Sequence, residues 1–382
     1  MSKKNHKAPD TSIRTMSPFI PNEAAVEVTK TLQSKWINTG NKERELREKA
    51  CQKWDFPYCV AVNNCTAALR SALAVIGVGP GDEVISTPFT FIATNTVILE
   101  QGAKPVFADI NYEDLNINPK SIEEKITKKT KAIIVVHYGG NPVDLDEIRK
   151  IGKKYGLPVI EDAAQALGSK YKGEYIGAEG DIVCFSFQVI KIITSGDGGL
   201  ISTSKAAYYQ KLRKIIWYGI DRDAKRTNLL DPLPKSFKGD TLGFKYNMND
   251  ITATLALVGF KHYNEAAAKR RIIGQRYRKE LEDCKGIKLI KYYEDRMSNY
   301  QIFPIHVKNR LGFAKYLRKY NIYVGINNRR NDIYPMFGGF RKDLLMTAQA
   351  DQDVALLPIH TDLIEEQVNY IIKKVKDWSN EQ

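Results

Sequence analysis

The chain has 382 residues, is 43% hydrophobic and carries a formal charge of +14, which allows a sizeable core and more than one domain. No run is long and apolar enough to span a bilayer, and the basic start MSKKNHKAPDTS lacks the apolar segment of a secretory signal, so membrane insertion and secretion are not expected. Five scattered cysteines without C-x-x-C, and five histidines without H-E-x-x-H, argue for free thiols in a reducing cytoplasm and against a metal site.

Residues 1–17 read as a basic, partly disordered tail. From about 58 to 203, β-rich runs (YCVAV, DEVIS, KPVFA, AIIVVHY, LPVIE, DIVCFSF, GLIST) alternate with helical patterns. CTAALRSALAVIG has apolar residues at helical spacing and ends at Gly77. DLDEIRKIGKKYG opens acidic and closes on lysine and glycine, as a helix macrodipole prefers. This alternation predicts an α/β fold, with a largely parallel sheet covered by helices on both faces.

Four features fall where such strands end, the place where open α/β sheets bind ligands. After Val62, Asn64, Cys65 and Thr66 lead into a helix, whose free N–H groups and Thr66 hydroxyl suit a phosphate or simply a cap. Phe89 and Phe91 follow Pro88, and an aromatic there suits a planar cofactor or the core. LPVIEDAAQALGS ends an apolar strand on Glu161 and Asp162. Buried carboxylates are costly unpaired, so Asp162 faces a cation or caps a helix. FSFQVIKIITSGDGG sets one amine, Lys191, in an apolar run before a glycine-rich turn, where it could form a Schiff base with a carbonyl. Neither G-x-G-x-x-G nor G-x-x-x-x-G-K-[ST] occurs, which removes support for dinucleotide and nucleoside-triphosphate folds. Together the four features fit a pyridoxal phosphate (PLP) site: a lysine, a carboxylate against the pyridine nitrogen, an aromatic on the ring and a phosphate cup.

Beyond Ser204, KAAYYQKLRKIIWYG reads as a helix. Residues 220–241, with two prolines and mixed charge, read as a long exposed loop. NMNDITATLALVGFKHYNEAAAKRRIIGQRYRKELEDC reads as one long helical pattern, bent near Gly259, that bridges two domains. The remainder reads as a smaller α+β domain: strand-like IKLIKYY and YQIFPIHV, helix then strand in GFAKYLRKYNIYVGI, and a closing helix in DLIEEQVNYIIKKVKDW. The expected division is a tail over 1–17, a large domain over 18–255 and a small domain with its bridging helix over 256–382. The lysines behind the charge are spread along the chain, so a solvated surface is expected rather than a nucleic-acid site. Part of the excess could attract an anionic substrate.

VIEDAAQALGS, GDIVCFSF, Lys191 and the glycine-rich turn, at this spacing, resemble the DegT/DnrJ/EryC1/StrS family of sugar aminotransferases over about residues 18–375. The resemblance implies a fold type I PLP transferase, with a large domain of mixed, mostly parallel sheet and a smaller C-terminal α+β domain. It implies that Lys191 forms the internal aldimine and shuttles protons, and that Asp162 partners the pyridine nitrogen. It places Gln165 near the phenolic oxygen and Phe91 on the ring, with Thr66, Ala67 and Ser186 at the phosphate. LGFKYNMNDI is similar to the segment that reaches the neighbouring subunit's phosphate. Lys245 stands there where many members have asparagine, which implies a homodimer with shared sites. The turn reads SGDGG, with Asp197 where glutamate is usual. In GINNRRNDIYPMFGG, Arg329 and Arg330 could bind a diphosphate or belong to a plain surface turn. A dehydratase branch of the family carries histidine in place of the lysine, so Lys191 favours transamination. The implied reaction passes an amine from glutamate through pyridoxamine phosphate to a keto-sugar nucleotide. Its amino-sugar product would serve lipopolysaccharide O-antigen, other surface glycans or natural products. The rivals are other PLP chemistry on a sugar nucleotide, such as dehydration, and a silent PLP-binding or PLP-sensing protein.

Overall fold

Strand residues of the central sheet alternate between two separate cores, which is why the sheet is covered on both sides. In Thr130–Val136, Ile133 and Val135 join one core while Ala132 and Ile134 join the other. In Ile182–Ser186, Val183 and Phe185 face the first and Ile182 and Cys184 the second. Side chains of period two buried on both faces demand helices above and below. The computed structural model describes residues 12–221, 241–326 and 329–382. Of the expected basic tail over 1–17, residues 1–11 lie outside the described residues, as does nearly all of the expected 220–241 loop, over 222–240; Ile13 corrects the rest of the tail, since it is buried and pairs with Ile322.

The seven strands run in the order Tyr58–Val62, Gly199–Thr203, Ile182–Ser186, Val159–Asp162, Thr130–Val136, Glu83–Ser86, Lys104–Phe107. The last five are mutually parallel. Gly199–Thr203 is antiparallel to both of its neighbours. Two reversals restore direction, so Tyr58–Val62 runs the same way as the parallel five. Val62, Asp162 and Ser186 therefore all emerge at one edge, where the chemistry-bearing segments follow them.

A second sheet orders Ile287–Leu289, Phe303–Val307, Val354–Leu357 and Gly325–Ile326, all antiparallel, over its own core. Its inner strand Val354–Leu357 was not expected from the sequence. It is four residues long and follows directly on the helix Leu345–Asp353, so neither length nor a turn announces it.

The expected long helix is two: Asp250–Lys261 and Tyr263–Leu281, separated at His262. Gly259 is not the break. A Cβ there would lie 3.2 Å from Ile193 Cγ2, so the glycine lets the helix approach the segment just after Lys191. The expected division after residue 255 falls inside the first of these helices. No described helix is long and apolar enough to cross a membrane.

Candidate active site

Asp162 ends its strand at the shared edge and is buried. Its Oδ2 accepts a hydrogen bond from Thr94 Oγ1 at 2.7 Å, and its Oδ1 accepts from the Ala164 N–H at 3.1 Å. Among the described residues no cation pairs with it. Burial pushes its carboxyl above the ordinary 3.8, against the pull of those two donors, Lys191 and His137. A buried carboxylate held by two hydrogen bonds, with no cation in ion-pair contact among the described residues, is prepared for a cationic ligand.

Behind it, on the same strand, Glu161 faces the other way. His137 Nδ1 accepts from the Val143 N–H at 3.2 Å, so its Nε2–H donates to Glu161 Oε2 at 3.0 Å. Arg149 also approaches Glu161, at 3.6 Å. Of the two adjacent carboxylates, Glu161 is thus satisfied within the protein and only Asp162 turns to the cleft.

Lys191 sits on a tight turn in which its N–H donates to Gln188 O at 2.8 Å. Ile192 and Ile193 behind it are sunk in the core, so the turn is anchored while the amine projects outward. Burial pushes the Lys191 amine below its ordinary 10.5; Arg270 pushes the same way, and Cys65 and Asp162 oppose them.

Asp162 and Lys191 line one cleft of about 440 Å3, together with Thr66, Phe91, Gln165 and Ser186. Phe91 is 58% exposed, so this ring stands at the mouth, whereas Phe89 is buried against Tyr138. At one end lies the N-terminus of helix Cys65–Ile76. Asn64 caps it, accepting from the Ala67 N–H at 2.7 Å. That bond corrects the expectation for Ala67: its amide is spent on the cap, its methyl is buried, and it does not line the cleft. Cys65 and Thr66 N–H groups and the Thr66 and Ser186 hydroxyls remain for an anion. Gly199 makes this possible, since a Cβ there would lie 3.2 Å from Cys65 N and 2.6 Å from Phe185 O. Gln165 Oε1 accepts from the Gly139 N–H at 2.8 Å, which leaves its amide nitrogen to face a ligand.

Three expected residues lie elsewhere. Lys245 is exposed outside this cleft, with its amine 3.5 Å from the Trp217 ring centroid and 2.5 Å from Asn247 Oδ1. Arg330 is 1% exposed and grips Asp332 through two bonds of 2.7 and 2.6 Å. That pairing takes Nε and Nη2, and the group lies buried outside the cleft, so Arg330 does not stand open to a diphosphate there. Arg329 is outside the cleft, bonded to Asp351 at 3.2 Å. The cleft also uses residues that the sequence reading passed over: Thr94, Gln188, Gln301 and the apolar wall of Met16, Ile302 and Leu356. Gln301 had a signal, as the lone amide opening the apolar run QIFPI; Thr94 and Met16 had none.

The donor set fits PLP. An amine can hold the aldehyde carbon, a carboxylate with no cation in ion-pair contact among the described residues can meet the ring nitrogen, and a helix N-terminus with two hydroxyls can take the phosphate.

A model of the DegT/DnrJ/EryC1/StrS aminotransferase family matches residues 18–376. The spore coat polysaccharide biosynthesis protein SpsC of Bacillus subtilis is 31% identical over 388 residues, covering 99% of this chain and 98% of that one. The solved sugar aminotransferase CalS13 of Micromonospora echinospora is similar at a TM-score of 0.89 and 28% identity, over 96% of this chain and 99% of that one. A Streptococcus pneumoniae protein solved in PLP and PMP forms is similar at a TM-score of 0.88 and 28% identity for both forms. The PLP form covers 97% of this chain and 99% of that one.

Proposed function

This chain belongs to the DegT/DnrJ/EryC1/StrS aminotransferase family, and from that premise we propose that it is a PLP-dependent aminotransferase acting on a nucleotide sugar. It takes an amine from glutamate and gives it to a keto-sugar nucleotide. The amino-sugar product would feed surface glycans, such as lipopolysaccharide O-antigen, or natural products. The observation that carries this reading is one cleft holding a buried carboxyl with no cation in ion-pair contact among the described residues, Asp162, and an amine that burial pushes toward neutrality, Lys191.

PLP, when bound, supplies a ring that absorbs the negative charge left at the donor carbon as its proton departs. The chain does the rest. Asp162 accepts from the ring nitrogen and keeps it protonated. Thr94 and the Ala164 N–H hold Asp162 in place. Lys191 would hold the cofactor at its aldehyde carbon, and its amine, which burial pushes toward neutrality, would accept and return the proton that leaves the donor's α-carbon. Phe91 would cover a ring face and Gln165 would meet the ring oxygen. Cys65 and Thr66 N–H groups with the Thr66 and Ser186 hydroxyls would take the phosphate.

Lys191 is the single cation lining the cleft among the described residues. A phosphate and a diphosphate would need more positive charge, which supports Lys245 reaching the cleft of a partner subunit in a homodimer. Five free cysteines suit the cytoplasm.

The test is to incubate the purified protein with glutamate and a panel of keto-sugar nucleotides, following 2-oxoglutarate and the sugar's mass. Equal amounts of 2-oxoglutarate and amino-sugar nucleotide are expected. A keto sugar consumed without gain of nitrogen would make the chemistry dehydration-like instead.

A further inference from the structure

The turn carrying Lys191 is gripped from the far side of the cleft. Gln301 Nε2–H donates to the carbonyl of Ile190 at 2.9 Å, and its Oε1 accepts from the N–H of Ile192 at 3.2 Å. One side chain thus bonds the main chain immediately before and immediately after Lys191. Gln301 is 2% exposed and precedes the small-sheet strand Phe303–Val307, so the grip reaches across from the second sheet.

Gln301 is itself held on several sides. Its N–H donates to Asn299 Oδ1 at 3.0 Å, while Asn299 Nδ2 donates to Leu167 O at 3.0 Å, just beyond the Asp162 loop. Its carbonyl accepts from Arg270 Nη1 at 3.1 Å. Arg270 is buried, spreads this one nitrogen over three carbonyls and has no carboxylate within bonding distance among the described residues. The preceding residue, Tyr300, sits at φ +51°, which a bulky side chain rarely adopts. A strained residue and a buried cation with no carboxylate in bonding distance among the described residues both cost stability. Both flank Gln301 directly.

We propose that Gln301 is a positioning residue for the amine transfer, a clamp that fixes the Lys191 turn and couples the amine's placement to the seating of the second sheet. The proposal rests on the reading of Lys191 given above. Proton transfer at a carbon tolerates little displacement of the base, and a misplacement of about 1 Å can cost on the order of 100-fold in rate. Two hydrogen bonds flanking the lysine remove the freedom of its turn to rock, whereas Gln188 and Thr194 fix it only from within its own loop.

The test follows the half-reaction of the PLP-loaded protein with glutamate by stopped-flow, where kcat stands for the saturating rate of loss of the cofactor band and KM for the half-saturating glutamate. Gln301→Met keeps the volume and loses both bonds. Gln301→Glu keeps an acceptor for the Ile192 N–H and loses the donor to Ile190. We expect Gln301→Met to retain the visible cofactor band but lower kcat on the order of 10- to 100-fold, with KM for glutamate within about threefold. Gln301→Glu should fall between it and the unaltered protein. It should also move the pH midpoint of the band upward, because a carboxylate beside the lysine favours the charged amine. That midpoint decides the matter if Gln301→Met does not fold. A lower Tm with kcat and pH midpoint unchanged in both variants would make Gln301 merely structural and overturn the clamp. So would a change confined to KM, which would make it a substrate contact. Absence of a cofactor band in the unaltered protein would instead strike the reading of Lys191 itself.

Discussion

Asp162 and Lys191 are each pushed toward their neutral forms, and the cause is burial in both. The consequences for stability have opposite signs. Asp162, raised in the fold, contributes stability that is full below its ordinary 3.8 and lost as pH rises through its folded value. Lys191, lowered in the fold, contributes stability that is full above its ordinary 10.5 and lost as pH falls through its folded value. Near neutral pH both groups weigh against the cofactor-free protein. Lys191→Met keeps the chain length without the charge. It should therefore raise the Tm of the cofactor-free protein by roughly 1 °C at neutral pH, with the gain shrinking above about pH 10. Thermal melts across pH read this directly, and a lower Tm at neutral pH would contradict the burial argument. That these two residues line one cleft agrees with the sequence reading, which joined them only through the four strand-end features taken together, since Asp162 alone read equally as a helix cap. Gln301 was not used, since its meaning depends on which main-chain groups lie opposite it, 109 residues away for Ile192. For Arg330 the sequence reading weighed only a diphosphate site and a surface turn, and the buried ion pair fits neither. The warning stood two residues on, where Asp332 completes the pair.

At the scale of elements, the end of the cleft proposed to take the phosphate is shaped by one cap. Asn64 ends the strand-to-helix link and takes the Ala67 N–H, so helix Cys65–Ile76 begins with a defined direction and its first amides face the cleft. Asn64→Ala should cost about 1 kcal/mol of stability and weaken PLP retention at the same time, because the amides that meet the phosphate lose their alignment. Denaturant melts and equilibrium dialysis of PLP check the two effects together. Loss of stability with unchanged PLP retention would separate the cap from the phosphate site. The strands of the central sheet were legible from short apolar runs, since all but the edge strand Lys104–Phe107 feed both cores. The strand Val354–Leu357 was not, because four residues pressed against a helix carry no period. The break at His262 was missed for a related reason. Both flanking helices share one amphipathic pattern, and Gly259 drew attention that belonged to its packing against Ile193.

At the scale of the whole molecule, the cleft is lined by a single cation among the described residues, whereas the proposed function asks it to take a cofactor phosphate and a nucleotide sugar. Lys245 stands exposed elsewhere, and apolar side chains such as Trp36 (62%) and Leu242 (85%) are open to solvent. A second copy would cover such side chains and bring Lys245 to the facing cleft. If so, Lys191→Ala and Lys245→Ala should each be impaired alone. Mixed and allowed to exchange subunits, they should regain activity toward about a quarter of the unaltered level, since half of the dimers then carry one intact site. No regain despite exchange would place both lysines in one subunit's site. The measurement that bears most directly on the central claim is a visible absorption spectrum of the purified, PLP-reconstituted protein before and after glutamate. The account predicts a cofactor band that glutamate converts to the pyridoxamine form, and a band that borohydride locks onto Lys191 if added first. No band after reconstitution would contradict the cleft as a PLP site, and a band indifferent to glutamate would contradict glutamate as the amino donor.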